Sequence, residues 1–146
     1  MRFVHAWKQS GCVSMWRYTE HARHFPGWHF NADELGCLSM LALIDALNVD
    51  GSGERTVVLT APTLSQLRVP ANKSGQAPWE GAERLRLRLS SDPKVWSLTL
   101  SGTLLLMEAG SDWMPELRAG IAGTRTGRGD YSIGDRKSGD PLWFWW

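Results

Sequence analysis

The residue types that most often bind metals or act as nucleophiles are concentrated near the beginning of this chain. They are four histidines and two cysteines: His5, Cys12, His21, His24, His29 and Cys37. A zinc site needs three or four converging nitrogen or sulfur donors, usually arranged as closely spaced pairs. His21 and His24 have such a spacing, but no second pair does. We therefore expect no metal site and interpret the histidines as solvated loop residues.

Other kinds of catalytic site receive no stronger support from the sequence. A nucleophile needs a neighbouring base and an orienting acid, and no serine or cysteine stands in a sequence typical of one. Asp33 and Glu34 are better explained as acidic residues in the first turn of a helix. The glycine-rich segment 127–130 neither follows a predicted strand nor opens a helix, as a phosphate loop must. We expect no catalytic residue and no cofactor, with an enzyme of unknown reaction around the early histidines as an alternative.

The composition predicts an ordinary globular protein. With 146 residues, of which 42% are hydrophobic and 21% charged, the chain can bury a core without disulfides or metals, and we expect one domain over 1–146. Two cysteines are too few for a secreted disulfide scaffold, no signal peptide is visible, and no apolar stretch is long enough to span a membrane. We therefore expect a cytoplasmic protein with no membrane partner. Tryptophan is unusually frequent, at nine residues, and we expect most of them in the core.

The first third of the chain is predicted to contain two strands, a loop and a helix. Residues 3–8 and 12–19 have the composition of strands, and 20–30 is predicted as a loop lined by aromatic side chains. Asn31 is predicted to cap a helix over 32–48. Because apolar residues cover most of its circumference, this helix is expected to be largely buried.

The middle of the chain begins with a short apolar run. Residues 55–60 fit a central strand. The segment 61–82 is the longest irregular stretch, with one turn of helix predicted at 63–67. Because long ordered loops often carry function, this segment is a candidate functional loop.

The clearest pattern in the sequence is the period-two alternation of arginine and leucine from Arg84 to Leu89. It predicts a strand with its leucines in the core and its arginines on the outside. Two further strand-like segments follow across turn residues, so 83–108 is predicted to be an antiparallel meander of three strands. With a second helix predicted over 112–123, the fold class is α+β with a mainly antiparallel sheet.

The last five residues form an unusual end to a chain, with three tryptophans around a phenylalanine. A hairpin is predicted between 130–133 and 142–146, across a charged loop. Alternation places Trp143 and Trp145 on one face and Trp146 on the other. The last strand is therefore expected to be covered on both faces, or to present one face to a partner.

Two groups of residues are candidates for binding a partner. They are the arginine row and the terminal tryptophans: Arg84, Arg86, Arg88, Trp143, Trp145 and Trp146. Arginine and tryptophan contribute much of the binding energy of protein interfaces. An arginine row also suits nucleic acid, but a net charge of +1 lacks the broad basic field of most nucleic-acid binders. The simplest alternative is that the arginines form a solvated outer face.

Four segments carry a resemblance to a known group of proteins: Trp28-His29-Phe30, Leu35-Gly36-Cys37, Gly129-Asp130-Tyr131-Ser132-Ile133-Gly134 and Leu142-Trp143-Phe144-Trp145. In these segments the chain resembles small bacterial proteins that look like immunity partners of polymorphic toxins. The resemblance implies a stoichiometric inhibitor that occludes a toxin domain and needs no active site. The leading hypothesis is therefore a non-catalytic protein-binding module, with an immunity (antitoxin-like) protein as its more specific form. The alternative is a nucleic-acid-associated protein that uses the arginine row.

Overall fold

A computed structural model describes residues 2–20, 26–68, 72, 74–127, 131–134 and 140–145. Its elements, in chain order, are α1 (Arg2–Ala6), β1 (Val13–Tyr18), β2 (Trp28–Ala32), α2 (Glu34–Asp50), β3 (Gly53–Val58), α3 (Leu64–Leu67), β4 (Trp79–Gly81), β5 (Arg84–Leu89), β6 (Trp96–Ser101), β7 (Leu104–Ala109), α4 (Met114–Arg125), β8 (Tyr131–Ile133) and β9 (Leu142–Phe144). These helices and two mostly antiparallel sheets make the fold α+β, which confirms the predicted class.

The first sheet has five strands in the order β4-β1-β2-β9-β8. β8 and β9 pair antiparallel, which confirms the predicted terminal hairpin, and β9 also pairs parallel with β2. The predicted loop 20–30 is wrong at its end, because Trp28 to Phe30 belong to β2. The pairing partners of β2 include a strand from the far end of the chain, so no local pattern reveals it. Residues 21–25 lie outside the described part of the chain.

The second sheet has four strands in the order β3-β5-β7-β6. The three strands predicted within 83–108 are present, but the antiparallel meander is wrong. β5 pairs parallel with β7, while β6 lies at the outer edge and pairs antiparallel with β7. The predicted central strand at 55–60 is β3, which lies at the opposite edge. Alternation of side chains determines the faces of each strand, but it does not determine which strands are neighbours.

The main helix, α2, begins two residues later than the sequence suggests. Its cap is Asp33, whose Oδ1 accepts hydrogen bonds from the amides of Gly36 at 2.7 Å and Cys12 at 2.9 Å. The prediction that Asn31 caps this helix is wrong. Asn31 lies in β2, and its side-chain Nδ2 donates to the carbonyl of Trp145 at 2.7 Å. The helix predicted over 112–123 is confirmed as α4, shifted by two residues.

The strand predicted at 3–8 is also wrong, because the chain forms the short helix α1 there. The amides of Phe3 and Val4 donate to the carboxylate of Asp50, at 3.3 Å and 2.9 Å. These bonds, above all the one from Val4, hold the pKa of Asp50 below its ordinary value. The cap of α1 thus comes from the end of α2, a contact that the local sequence does not show.

One hydrophobic cluster joins the inner faces of both sheets to α2 and α4. Leu85 and Leu87 of β5 have no exposed surface, which confirms their predicted position. Among the described residues, five tryptophans are buried: Trp7, Trp16, Trp28, Trp96 and Trp145. Of the helices in the described part of the chain, none combines the length and apolar character that crossing a membrane requires.

Candidate protein-binding surface

The three arginines of β5 lie on the outer face of the four-stranded sheet. The strand register places each of them between one residue of β3 and one of β7: Val58–Arg84–Leu104, Thr56–Arg86–Leu106 and Glu54–Arg88–Glu108. Because directly opposite residues of neighbouring strands point to the same face, these nine side chains form one surface. We call this surface the arginine face.

Arg88 is neutralised within the arginine face. Its Nε lies 2.8 Å from Oε2 of Glu54, and its Nη1 lies 3.3 Å from Oε1 of Glu108. The hydrogen bond and charge of Glu54 are the main causes that raise the pKa of Arg88. This guanidinium therefore has partners on both neighbouring strands.

Arg84 and Arg86 differ from Arg88, because no carboxylate in the described residues pairs with either of them. Arg84 is exposed, and its side chain makes no hydrogen bond with any residue that the structure describes. Arg86 is half-buried, and its Nε makes one long contact of 3.5 Å with Oγ1 of Thr56. It borders an open depression of about 510 Å³, whose other lining residues are Glu54, Arg55 and Thr56. Two positive charges are thus available to a partner.

Apolar side chains surround these two arginines. Val58, opposite Arg84, has 63% of its surface exposed. Leu104 and Leu106 are half-buried beside the arginines on the other side. The composition of the surface is therefore arginine with aliphatic neighbours and a small number of carboxylates, and such a mixture is typical of protein interfaces.

Trp143 and Trp145 lie at the other sheet, so the structure does not bring these two predicted binding residues together with the arginines. Trp145 is only 6% exposed, and its Nε1 donates to Nδ1 of His29 at 2.7 Å. Trp143 is half-buried, stacks on Trp145 with ring centroids 6.2 Å apart, and donates from Nε1 to the carbonyl of Pro26 at 2.9 Å. Trp146 lies outside the described residues. The buried area of Trp145 therefore contributes to the fold.

His29 lies between two of the tryptophan rings in this cluster. It has no exposed surface and stacks between Trp16, with centroids 5.7 Å apart, and Trp145, with centroids 5.9 Å apart. The interpretation of His29 as a solvated loop residue is therefore wrong. His5 is exposed, as expected, and His21 and His24 lie outside the described residues.

Two described residues of the segment 61–82, Leu67 and Ala77, pack against this aromatic cluster. The predicted turn at 63–67 is α3, and Leu67 packs against Trp16 and Tyr18. The hydroxyl of Tyr18 donates to the carbonyl of Leu67 at 2.8 Å, and burial raises the pKa of this hydroxyl. Asn72 donates to the same carbonyl at 2.9 Å. The contacts of Leu67 with Trp16 and Tyr18 thus join α3 to the first sheet.

The cysteines are both free thiols. Cys12 is exposed, whereas burial raises the pKa of Cys37 to about 11, so this thiol is protonated near neutral pH. Across the described residues there is no group of three or more histidine, cysteine, aspartate or glutamate side chains that could hold a metal ion.

Sequence reasoning missed the residues that decide the character of the arginine face. Glu54 and Glu108 neutralise one arginine, and Val58, Leu104 and Leu106 flank the other two. Their alternation along β3 and β7 is visible in the sequence and assigns each to a face. Only the strand order brings them beside the arginines.

Comparison of the chain with protein-family models, with curated proteins and with solved structures gives no match.

Proposed function

We propose that this protein is a non-catalytic protein-binding module that uses the arginine face to bind an acidic surface of a partner protein. The observation that carries the proposal is the contrast within one strand. Arg88 has two carboxylate partners, whereas Arg84 and Arg86 have none among the described residues. A partner that supplies carboxylates to these two guanidinium groups would gain charge-assisted, bidentate hydrogen bonds.

The apolar neighbours of these arginines favour a protein over a nucleic acid. Val58, Leu104 and Leu106 add aliphatic area between the charges, and Glu54 and Glu108 add negative charge to the same face. Interfaces with nucleic acid are far more positive than this. A protein surface with acidic groups around an apolar centre complements the arrangement better.

The more specific form of the proposal is an immunity protein that occludes a cognate toxin domain. The resemblance to immunity partners of polymorphic toxins supports it, and such an inhibitor needs no catalytic residue and no cofactor. It would act in the cytoplasm, where its two free thiols stay reduced.

The experiment uses the protein encoded directly upstream as the probe, because immunity proteins are encoded beside their toxins. We expect the pair to copurify and the present protein to restore growth of cells that express the toxin. The double change Arg84→Glu, Arg86→Glu should weaken the complex by about tenfold or more, because interface arginines are often hot spots. The control Lys8→Glu, Lys94→Glu reverses two exposed charges elsewhere and should bind normally.

Two results would contradict the proposal. One is an upstream protein that binds both double variants as tightly as the unchanged protein. The other is tight binding of a DNA or RNA duplex at physiological salt, with a steep loss of affinity as salt rises, which would favour the nucleic-acid alternative.

A further inference from the structure

The four-stranded sheet has two edge strands, β3 and β6, which differ in whether their outward backbone groups are hydrogen-bonded. At the β3 edge, the side-chain amide of Gln9 makes two hydrogen bonds of 2.8 Å with the backbone of Val58. Its Nε2 donates to the carbonyl, and its Oε1 accepts from the amide. A side chain of the same protein thus takes the place of a neighbouring strand at this point.

At the β6 edge, no further strand of the described part of the chain pairs with the sheet. A loop of two residues, Gly102 and Thr103, joins β6 to β7, so Ser101 and Leu104 form a hydrogen-bonded pair. In an antiparallel ladder, hydrogen-bonded pairs recur at every second residue. At the other end of β6 the pattern is in phase, because the amide of Gly110 donates to the carbonyl of Val95 at 2.8 Å.

It follows that alternate residues of β6 direct their backbone groups away from β7. These residues include Leu98 and Leu100, whose N–H and C=O groups point to the β6 edge. No residue in the described part of the chain bonds to these groups. Unpaired groups of this kind are a template for another strand.

We propose that β6 pairs antiparallel with β6 of a second copy of this chain, across a two-fold axis at Thr99. The sequence around Thr99 is a palindrome, Ser97-Leu98-Thr99-Leu100-Ser101. Antiparallel pairing on a two-fold axis matches each residue with the one equally distant on the other side of Thr99. This proposal does not depend on the function of the arginine face.

The palindrome makes β6 its own complement. Leu98 meets the partner's Leu100 on the core side, and Ser97 meets the partner's Ser101 on the outer side, with Thr99 against the partner's Thr99 at the axis. Pairs of hydroxyl residues are favourable across antiparallel strands, and the leucine pairs would bury apolar area on the core side. The backbone groups of Leu98 and Leu100 meet their counterparts in the same register. An unrelated segment would not be selected by this symmetry, which points to a second copy as the occupant.

The charges of the protein permit this pairing. β6 contains neither a charged residue nor a proline, which are the usual means of blocking an edge. Two strands of each copy, β7 and β6, separate the arginine-bearing β5 from the axis. At about 4.8 Å per strand, the two β5 strands would lie roughly 24 Å apart, well beyond the screening length of about 8 Å at physiological salt.

The first test is the dependence of molecular mass on concentration, measured by sedimentation velocity and light scattering. We expect a reversible equilibrium between monomer and dimer. Thr99 is exposed, so Thr99→Lys should leave the fold intact, which a far-UV circular dichroism melt would verify. It places two lysines opposite each other and should raise the dimer dissociation constant roughly fivefold or more, less at high salt. Val58→Lys adds the same charge at the β3 edge and should leave the dimer unchanged.

A charge-swap experiment makes the test specific for this axis. Thr99→Lys and Thr99→Glu should each dimerise poorly, and an equal mixture of the two should form a mixed dimer. In the unchanged protein, the amides of Leu98 and Leu100 should exchange hydrogen more slowly as concentration rises. A protein that stays monomeric up to its solubility limit, or a dimer that is insensitive to Thr99→Lys, would overturn the proposal. So would a mixture that does not pair, or amides whose exchange does not change with concentration.

Discussion

Gly120 in α4 lies so close to the ring of Phe144 that a methyl group added there should destabilise the protein. A Cβ atom built on Gly120 would lie 2.3, 2.4 and 2.7 Å from three carbons of the Phe144 ring. Ordinary contacts between carbon atoms are about 3.5–4.0 Å, and Phe144 has no exposed surface. In Gly120→Ala, either the ring of β9 or the backbone of α4 must therefore move by about 1 Å.

The expected net effect is destabilisation. Overpacking of a close-packed core costs about 1–3 kcal/mol, and replacing a glycine by alanine inside a helix gains about 0.5–1 kcal/mol. We therefore expect Gly120→Ala to lower the free energy of unfolding by about 1 kcal/mol, within a range of about 0 to 2.5 kcal/mol set by these two contributions. The assay is urea denaturation, followed by tryptophan fluorescence and circular dichroism, with the denaturant slope unchanged.

Two matched variants separate the opposing contributions. Ala119 is the exposed neighbour of Gly120 in the same helix, so Ala119→Gly measures the helix preference without any steric change. Phe144→Leu removes part of the ring, and in that background Gly120→Ala should cost much less, giving a coupling energy between the two sites. If Gly120→Ala stabilises the protein by as much as Ala119→Gly destabilises it, then Gly120 does not pack tightly against Phe144.

Single substitutions at Asp33, Trp145 and Cys37 test three further features of the fold. Asp33→Ala should lower the free energy of unfolding by about 0.5–2 kcal/mol, as expected for the loss of a helix cap, and Asp33→Asn should cost less; equal costs in urea denaturation would argue against the cap. Trp145→Phe removes the donor to the buried Nδ1 of His29 and should cost about 1–3 kcal/mol, whereas an unchanged urea midpoint would mean that this bond contributes nothing. Because the folded pKa of Cys37 is raised to about 11 from about 9, its stabilising contribution is complete below pH 9 and is lost as the pH rises towards 11. The fall in urea midpoint over this range should be smaller in Cys37→Ala than in the unchanged protein, with Cys12→Ala as the control; identical falls would contradict it.

The candidate surface could be predicted from the sequence in part. The alternation from Arg84 to Leu89 was enough to place the arginines outside and Leu85 and Leu87 in the core, because side chains alternate between the faces of any strand. The sequence did not show that Arg88 has carboxylate partners while Arg84 and Arg86 have none within the described ranges. That distinction depends on the register of β5 against β3 and β7.

The aromatic cluster around His29 was likewise predictable from local sequence only in part. An apolar, aromatic segment after a charged loop predicted the hairpin of β8 and β9 correctly, and alternation put Trp143 and Trp145 on one face. The parallel pairing of β9 with β2, which brings His29 beside Trp145, joins the two ends of the chain. No pattern near either strand specifies the other as its neighbour.

The sequence by itself therefore determined the α+β class, the two long helices to within two residues, most of the strands and the faces of β5, because these depend on local periodicity and on helix and turn signals. Only the tertiary structure decided the order of the strands, the parallel pairs, the capping of α1 by Asp50 and the role of Asn31. Each of these depends on contacts between segments far apart in the chain. Their free energy comes from packing and hydrogen bonds that form together when the chain folds.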